Sequence, residues 1–184
     1  LKVQVSAAGV KRRAKSYFED TWAETGRQFA ALLLLEWIGA VVLSVVASPE
    51  AWSGAESALG SYVGTALLLG GLISVGPALG AWFYPAQAWS RHLVAAAQLL
   101  MSGLLIYLVA GRISMHFHIF VSLAFLALYY DWGILVTGAV VTAADHFARG
   151  IFWPMSMFGV TSPAPWMAAE HSAWVIFEVG FLTL

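Results

Sequence analysis

The chain has no cysteine and little charge. Only 10% of its 184 residues are Asp, Glu, Lys or Arg, and the formal net charge is −1. The absence of cysteine excludes disulfides, thiolate metal ligands and thiol nucleophiles. The low net charge, with no basic patch between aromatic residues, argues against nucleic acid as a partner. A metal bound to this chain therefore has to be held by nitrogen, oxygen or thioether sulfur.

Motifs of the common enzyme classes are also missing. The sequence contains no G-x-S-x-G nucleophile elbow, no phosphate-binding P-loop and no H-E-x-x-H zinc motif. No serine triad is evident. The sequence therefore predicts that this region is not an enzyme, and that any catalytic effector lies beyond Leu184.

Apolar residues, by contrast, are abundant. They make up 60% of the sequence, and the mean hydropathy is +0.78, which is typical of an integral membrane protein. A helix needs about 20 residues to cross the hydrocarbon core. Continuous rather than alternating apolar residues argue against a transmembrane barrel. The sequence therefore predicts an all-α polytopic protein with six transmembrane helices, at about 29–47, 62–83, 92–110, 115–130, 133–148 and from His171 onward.

The first 28 residues differ from the rest. Val10, Ala14, Phe18 and Trp22 recur at helical spacing among charged residues, which predicts an amphipathic helix lying on the inner leaflet. We therefore expect a cytoplasmic or interfacial segment at 1–28 and one membrane domain at 29–184. Because the chain ends within an apolar run, we expect the sixth helix to continue in a longer polypeptide.

Basic residues indicate the orientation in the membrane. Only Arg112 and Arg149 fall on one side of the predicted helices. The other seven of the nine basic residues fall on the opposite side: Lys2, Lys11, Arg12, Arg13, Lys15, Arg27 and Arg91. The positive-inside rule therefore predicts that both termini are cytoplasmic.

Four of the five histidines are expected at the opposite, outer face. His116 and His118 open the fourth segment, His146 lies near the outer end of the fifth, and His171 opens the sixth. Imidazole is costly to bury in lipid and is the commonest side-chain metal ligand, so this cluster predicts a metal site. His92 starts the third segment on the inner side and is expected to be an interfacial anchor.

The methionines favour copper as the metal. Met115, Met155, Met157 and Met167 fall in the same outer zone, whereas Met101 does not. Histidine together with methionine suits copper, and thioether sulfur suits the cuprous ion especially. Zinc and haem are the alternative cofactors, since two histidines on facing helices can ligate haem iron.

Helix geometry limits how the four histidines combine. His116 and His118 lie ~200° apart on a regular helix, so they cannot share one face. The sequence favours His118, His146 and His171 as a three-imidazole core, with His116 as a fourth ligand or a neighbour. Alternatively, all four are ordinary polar residues at helix ends and bind nothing.

Charged residues beside the histidines have two interpretations each. Asp145 either supports a ligating imidazole or forms an ion pair with Arg149, four residues later on the same helix. Glu170 either supports His171 or lies at a helix N-terminus, where a negative charge is favourable. Met115 is a further neighbour of the predicted site.

Two more carboxylates lie deeper in the membrane. Glu178 follows His171 by seven residues and therefore lies on the same face of the predicted sixth helix, and Glu36 lies in the middle of the first. Carboxylates within a membrane are functional candidates, as proton-linked or polar-network groups, and a protonated structural role is the alternative.

Four runs of residues carry a resemblance to known proteins: GRISMHFHIF (111–120), SLAFLALYYDW, DHFARGIFWP and EHSAWVIFE. They resemble an N-terminal multi-helix sensory region of bacterial signalling proteins. In that family the region precedes PAS modules, histidine kinases, diguanylate cyclases or chemoreceptor domains. The resemblance implies an input domain in the bacterial inner membrane, a homodimer formed through the sixth helix, and a cytoplasmic effector, as in two-component systems. The motif positions that it implies are Arg112, His116, His118, Asp131, Asp145, His146, Arg149, Glu170, His171 and Glu178.

The function expected from the sequence is a sensory input domain in the lipid bilayer. It binds copper through the periplasmic histidines and signals through the sixth helix. The alternatives are a haem-binding or electron-transferring membrane subunit, and an accessory subunit of a membrane complex without any cofactor.

Overall fold

The computed structural model describes residues 7–52 and 59–184. Regular structure in these ranges is helical, with one 3₁₀ turn at Ala127–Tyr129, so the all-α prediction is confirmed. Residues 1–6, which include Lys2 and the start of the predicted interfacial segment, lie outside the described residues. The helices are α1 (Ala7–Val46), α2 (Ser48–Ala51), α3 (Leu59–Phe83), α4 (Ala88–Leu108), α5 (Ile113–Leu126), α6 (Trp132–Phe152), α7 (Met155–Phe158) and α8 (Pro165–Leu182).

Four of the described helices, α1, α3, α4 and α6, are long and apolar enough to cross a membrane. The stretch Ile113–Tyr129, which contains α5, is apolar but shorter. Helix α8 carries two carboxylates and a histidine and is not among the four. Membrane association is therefore supported by the apolar helices, while the number of six spans stays a prediction.

Contacts at the two ends of the bundle define its topology. At one end, called the Arg91 end, Arg91 Nη2 lies 3.3 Å from Asp131 Oδ2, and the guanidinium covers the Trp22 ring at 3.8 Å. At the other, called the His116 end, Ser48 Oγ donates a hydrogen bond of 2.7 Å to the Leu108 carbonyl. The turns between helices therefore alternate between the ends, so that α1, α4 and α6 run antiparallel to α3 and α5.

Helix α4 lies at the centre of the bundle, in contact with α1, α3, α5, α6 and α7. Its buried residues include Ala95, Ser102 and Gly103, whose small size lets neighbouring helices approach closely. A Cβ at Gly103 would lie 3.1 Å from both Arg149 Nη2 and Asp145 Oδ2. The glycine therefore allows this charged pair on α6 to rest directly against α4.

Helix α1 differs from the prediction at its N-terminal side. The sequence predicts a separate interfacial helix before residue 29, but the structure has one helix of 40 residues, Ala7–Val46. Such a helix is about 60 Å long, twice the thickness of the hydrocarbon core. No proline interrupts it, and its first half is rich in strong helix formers. The charged first half of α1 is therefore continuous with its apolar second half and does not form a separate helix.

Two residues that often end helices act differently in this bundle. Helix α3 continues through Pro77. A turn at Asp131 precedes α6, where Asp131 Oδ1 accepts a 3.0 Å hydrogen bond from the Gly133 backbone N–H. This bond satisfies a donor that would otherwise be unpaired at the helix N-terminus.

Candidate functional site

Three imidazoles meet at the His116 end of the bundle. They belong to His116 on α5, His146 on α6 and His171 on α8, and are called the histidine triad. The ring centroids lie 5.7 Å apart for His116 and His146, 5.1 Å for His116 and His171, and 6.2 Å for His146 and His171. Three helices that are distant in sequence therefore bring one ring each to a common place.

Backbone contacts orient all three rings in the same way. Each Nδ1 faces the carbonyl four residues earlier on its own helix, at 3.4 Å for His116, 3.0 Å for His146 and 2.8 Å for His171. A carbonyl can only accept a hydrogen bond, so Nδ1 carries the hydrogen and Nε2 keeps its lone pair. Metal-ligating histidines typically have this second interaction, which fixes the tautomer and the ring orientation.

The Nε2 atom of His116 makes no hydrogen bond within the described residues, and the ring lies near the Met157 backbone. The side chain is buried, with 4% of the residue exposed, and this nitrogen has no hydrogen bond. An unpaired buried polar atom costs about 1–3 kcal/mol. The unpaired nitrogen therefore destabilises the folded protein, and a ligand bound to this nitrogen would offset that cost.

Within residues 7–52 and 59–184, no three His, Asp or Glu side chains already have the geometry of a metal site. The triad has suitable spacing, because an ion about 2.1 Å from each Nε2 places ring centroids roughly 5–6 Å apart.

Asp145 forms an ion pair with Arg149, one of the two roles that the sequence left open. Arg149 Nε donates to Asp145 Oδ1 at 2.8 Å, and Nη2 donates to Oδ2. Arg149 Nη1 also donates to the Ser156 carbonyl at 3.3 Å, which links α6 to α7. Asp145 Oδ2 lies 3.7 Å from His146 Nδ1, beyond hydrogen-bonding distance. Its main partner is therefore the guanidinium.

His118 lies apart from the other three histidines, whereas the sequence favours a core of His118, His146 and His171. His118 Nε2 lies 3.2 Å from Glu36 Oε1, and His118 Nδ1 lies 2.8 Å from Ser102 Oγ. The physical reason is the rotation of ~200° between residues two apart on a helix. Since α5 turns His116 toward α6 and α8, it turns His118 toward α1 and α4.

His118 belongs instead to a polar network inside the bundle, which was not predicted from the sequence. Gln98 Nε2 donates to Glu36 Oε1 at 2.5 Å and to Ser122 Oγ at 3.2 Å. Ser102 Oγ donates to the Gln98 carbonyl at 3.0 Å. Gln98 and Ser102 are four residues apart in an otherwise apolar stretch, and this spacing was the signal available in the sequence.

The remaining predicted site residues lie around the triad or away from it. Glu170 is exposed and lines a cavity together with His171. Glu178 Oε2 is buried without a hydrogen bond, and Met115 packs against the hydrophobic core. His92 lies at the Arg91 end, where its Nδ1 is 2.7 Å from Thr137 Oγ1, as expected for a residue outside the site.

Three cavities border the triad. One of about 500 Å³ lies between the α4–α5 turn, α7 and α8, and it reaches His116 and His171. A second of about 590 Å³ lies between α5 and α8. A third of about 250 Å³ lies between α6 and α8 and reaches His146 and His171. A small ligand therefore has space to approach the imidazoles from several sides.

Comparison with known proteins gives no match: no protein-family model fits the chain, and no curated protein or solved structure is similar to it. The resemblance to bacterial sensory regions therefore stays an expectation from the sequence, and the triad itself is the basis for assigning a function.

Proposed function

We propose that the chain is a membrane sensory input domain that binds copper at the histidine triad. The observation that carries the proposal is the common orientation of three clustered imidazoles, each with Nδ1 toward a backbone carbonyl and Nε2 available. Neutral imidazole nitrogens suit copper and zinc, and the fixed tautomer removes the need to displace a proton on binding.

The arrangement of the rings favours a single ion over haem. A haem ligated by His146 and His171 would place its porphyrin between the two rings. His116 lies 5.7 Å from the first ring and 5.1 Å from the second, so its imidazole blocks that space. The haem alternative therefore requires the His116 ring to leave this space, whereas a single ion can be bound by all three rings.

Helix α8 is the element proposed to carry the signal. It holds His171 near one end, and its residues Val175, Val179 and Leu182 pack against the main hydrophobic core. A ligand shifts a helix only if it binds one arrangement more tightly than another. Because His116 and His146 lie on α5 and α6, an ion that draws the triad together changes the position of α8 against both helices. Glu178 lies about 10 Å further along α8 by its rise per residue.

The proposed location is the bacterial inner membrane, with six helices crossing and the His116 end on the periplasmic side. The basis is the excess of Lys and Arg at the opposite end of the bundle. Helix α5 is short and α8 is polar for a membrane span. Both are proposed to cross beside the bundle, where His118 and His171 face other helices.

Single-cysteine labelling tests this topology, since the chain has no cysteine of its own. Ser162 and Gln87 are both exposed and lie in connections at opposite ends of the bundle. We expect Ser162→Cys to react with a membrane-impermeant maleimide in intact cells, and Gln87→Cys to react only after permeabilisation. The reverse labelling pattern would place the triad on the cytoplasmic side.

The binding part of the proposal is tested by elemental analysis of the purified protein after incubation with copper, followed by removal of free metal. One copper ion per chain is expected, without the strong visible absorption band that haem gives. A haem band would favour the electron-transfer alternative, and the absence of both signals would favour the accessory-subunit alternative.

Hydrogen–deuterium exchange of the same preparation tests the sensory part. Copper is expected to slow exchange in the segment 165–182, since binding at His171 restrains α8 against α5 and α6. The segment 59–83, which forms α3 and contributes no residue to the triad, is the internal control. Copper binding with no change in α8 would make this a storage or transport site rather than a sensor.

A further inference from the structure

The cavity of about 500 Å³ at the His116 end, called the outer cavity, has an unusual lining. His116 and His171 of the triad line it, and so do Met155 and Met167. Arg112 is exposed at its rim, so the cavity opens on the surface of the bundle. The cavity therefore brings two methionines together with two of the three imidazoles.

Met155 and Met167 line the outer cavity, whereas the other three methionines of the chain do not. Met101 and Met157 are fully buried, and Met115 packs against the core, so none of these three lines the outer cavity. Met167 also precedes His171 by four residues on α8, and its carbonyl is the acceptor for His171 Nδ1. Residues four apart lie on the same face of a helix, so thioether and imidazole are neighbours there.

The charge of the cavity narrows the class of ion. Its described lining contains Arg112 and no Asp or Glu. Sites for hard divalent cations such as Mg²⁺ and Ca²⁺ usually include carboxylate ligands, which this lining does not offer. A positive charge at the rim repels a divalent ion more strongly than a monovalent one. Soft thioether sulfur and a low ionic charge both match the cuprous ion.

We infer that the outer cavity is a cuprous-ion site that shares His116 and His171 with the triad. The inference rests on the proposed function, because two imidazoles of the triad complete the site. Met155 and Met167 bind Cu⁺ together with Nε2 of His116 and His171, and the bonds from the ion to water or to its carrier break as these four bonds form. Copper stays cuprous throughout, no electron is transferred, and no proton leaves because each Nε2 already has a free lone pair.

The test compares the double variant Met155→Leu/Met167→Leu with the unchanged protein in nanodiscs. Leucine keeps the volume of methionine but cannot bind copper. Cuprous affinity is measured without oxygen by competition with a chromogenic cuprous chelator, and Zn²⁺ affinity is measured in parallel. We expect the double variant to bind Cu⁺ about 10- to 100-fold more weakly, the range seen when groups supporting a metal site are removed. Its Zn²⁺ affinity should not change.

Two variants are the controls. Met101→Leu changes a buried methionine of α4 away from the cavity and is expected to leave both affinities unchanged. His171→Ala removes a triad ligand and is expected to abolish both. Equal Cu⁺ affinity of the double variant and the unchanged protein would overturn the cavity inference alone. An equal loss of Cu⁺ affinity and Zn²⁺ affinity in the double variant would also overturn the cavity inference. An unchanged protein that binds neither ion would instead overturn the proposed function.

Discussion

His116→Gln is expected to reduce bound copper from one ion per chain to near none, while His118→Gln leaves it unchanged. The two residues are neighbours on α5, but only His116 points to the other triad rings, at 5.1 and 5.7 Å between centroids. His118 contacts Glu36 and Ser102 instead. Glutamine is used at both positions because at residue 118 it keeps a hydrogen-bonding group beside Glu36, which in an alanine variant would lose one of its two described partners and keep Gln98.

The measurement is copper per chain, after gel filtration has shown that each variant is folded. His92→Gln at the Arg91 end provides a second control and should retain copper. Loss of copper in His118→Gln with retention in His116→Gln would support the core expected from the sequence and contradict the triad. Equal retention in both variants would mean that the triad does not hold the ion.

Gly111→Ala is expected to lower the free energy of unfolding by about 2–5 kcal/mol, from a left-handed backbone and a steric overlap together. Gly111 has φ +73°, a conformation that alanine rarely adopts. A Cβ at this position would lie 2.3 Å from the Gly159 backbone nitrogen. Because the obstacle is backbone, no side chain can move to relieve the overlap.

Thermal unfolding of the purified protein measures this effect, and Gly39→Ala is the matched control. A Cβ at Gly39 meets nothing within 4 Å, so that change should alter stability by about 1 kcal/mol or less. Gly111→Ala also moves the α4–α5 turn away from α7, so weaker copper binding is expected alongside the lower Tm. Equal melting temperatures for the two variants would show that the close contact between Gly111 and Gly159 does not hold the bundle end together.

Much of the fold could be predicted because it depends on local properties of the chain. Apolar runs gave the long helices. The sequence places a boundary before residue 29, and α1 continues through this position because a change from charged to apolar residues does not stop a helix. A helix ends where a residue such as proline interrupts it or where other groups hydrogen-bond to its backbone. Residues 7–46 contain no proline.

The network around Glu36 shows where local patterns stop being informative. Gln98 and Ser102 are visible as polar residues of an apolar helix, but their partners on α1 and α5 are far away in the chain. The packing of the whole bundle determines which helices these residues of α4 contact. A carboxylate in mid-membrane could therefore be recognised from sequence, whereas its hydrogen-bond partners could not.

The helical class, the apolar character and the end of the bundle at which His116, His146 and His171 lie can be inferred from the order of residues. They follow from segment lengths and from the alternation of turns. Which histidine of α5 joins the triad depends instead on how the helices pack. Helix α5 is apolar on nearly all sides, so its pattern does not mark a buried face. Burial of Ile119, Leu123 and Leu126 against the core fixes its rotation, and that rotation brings His116 to the triad.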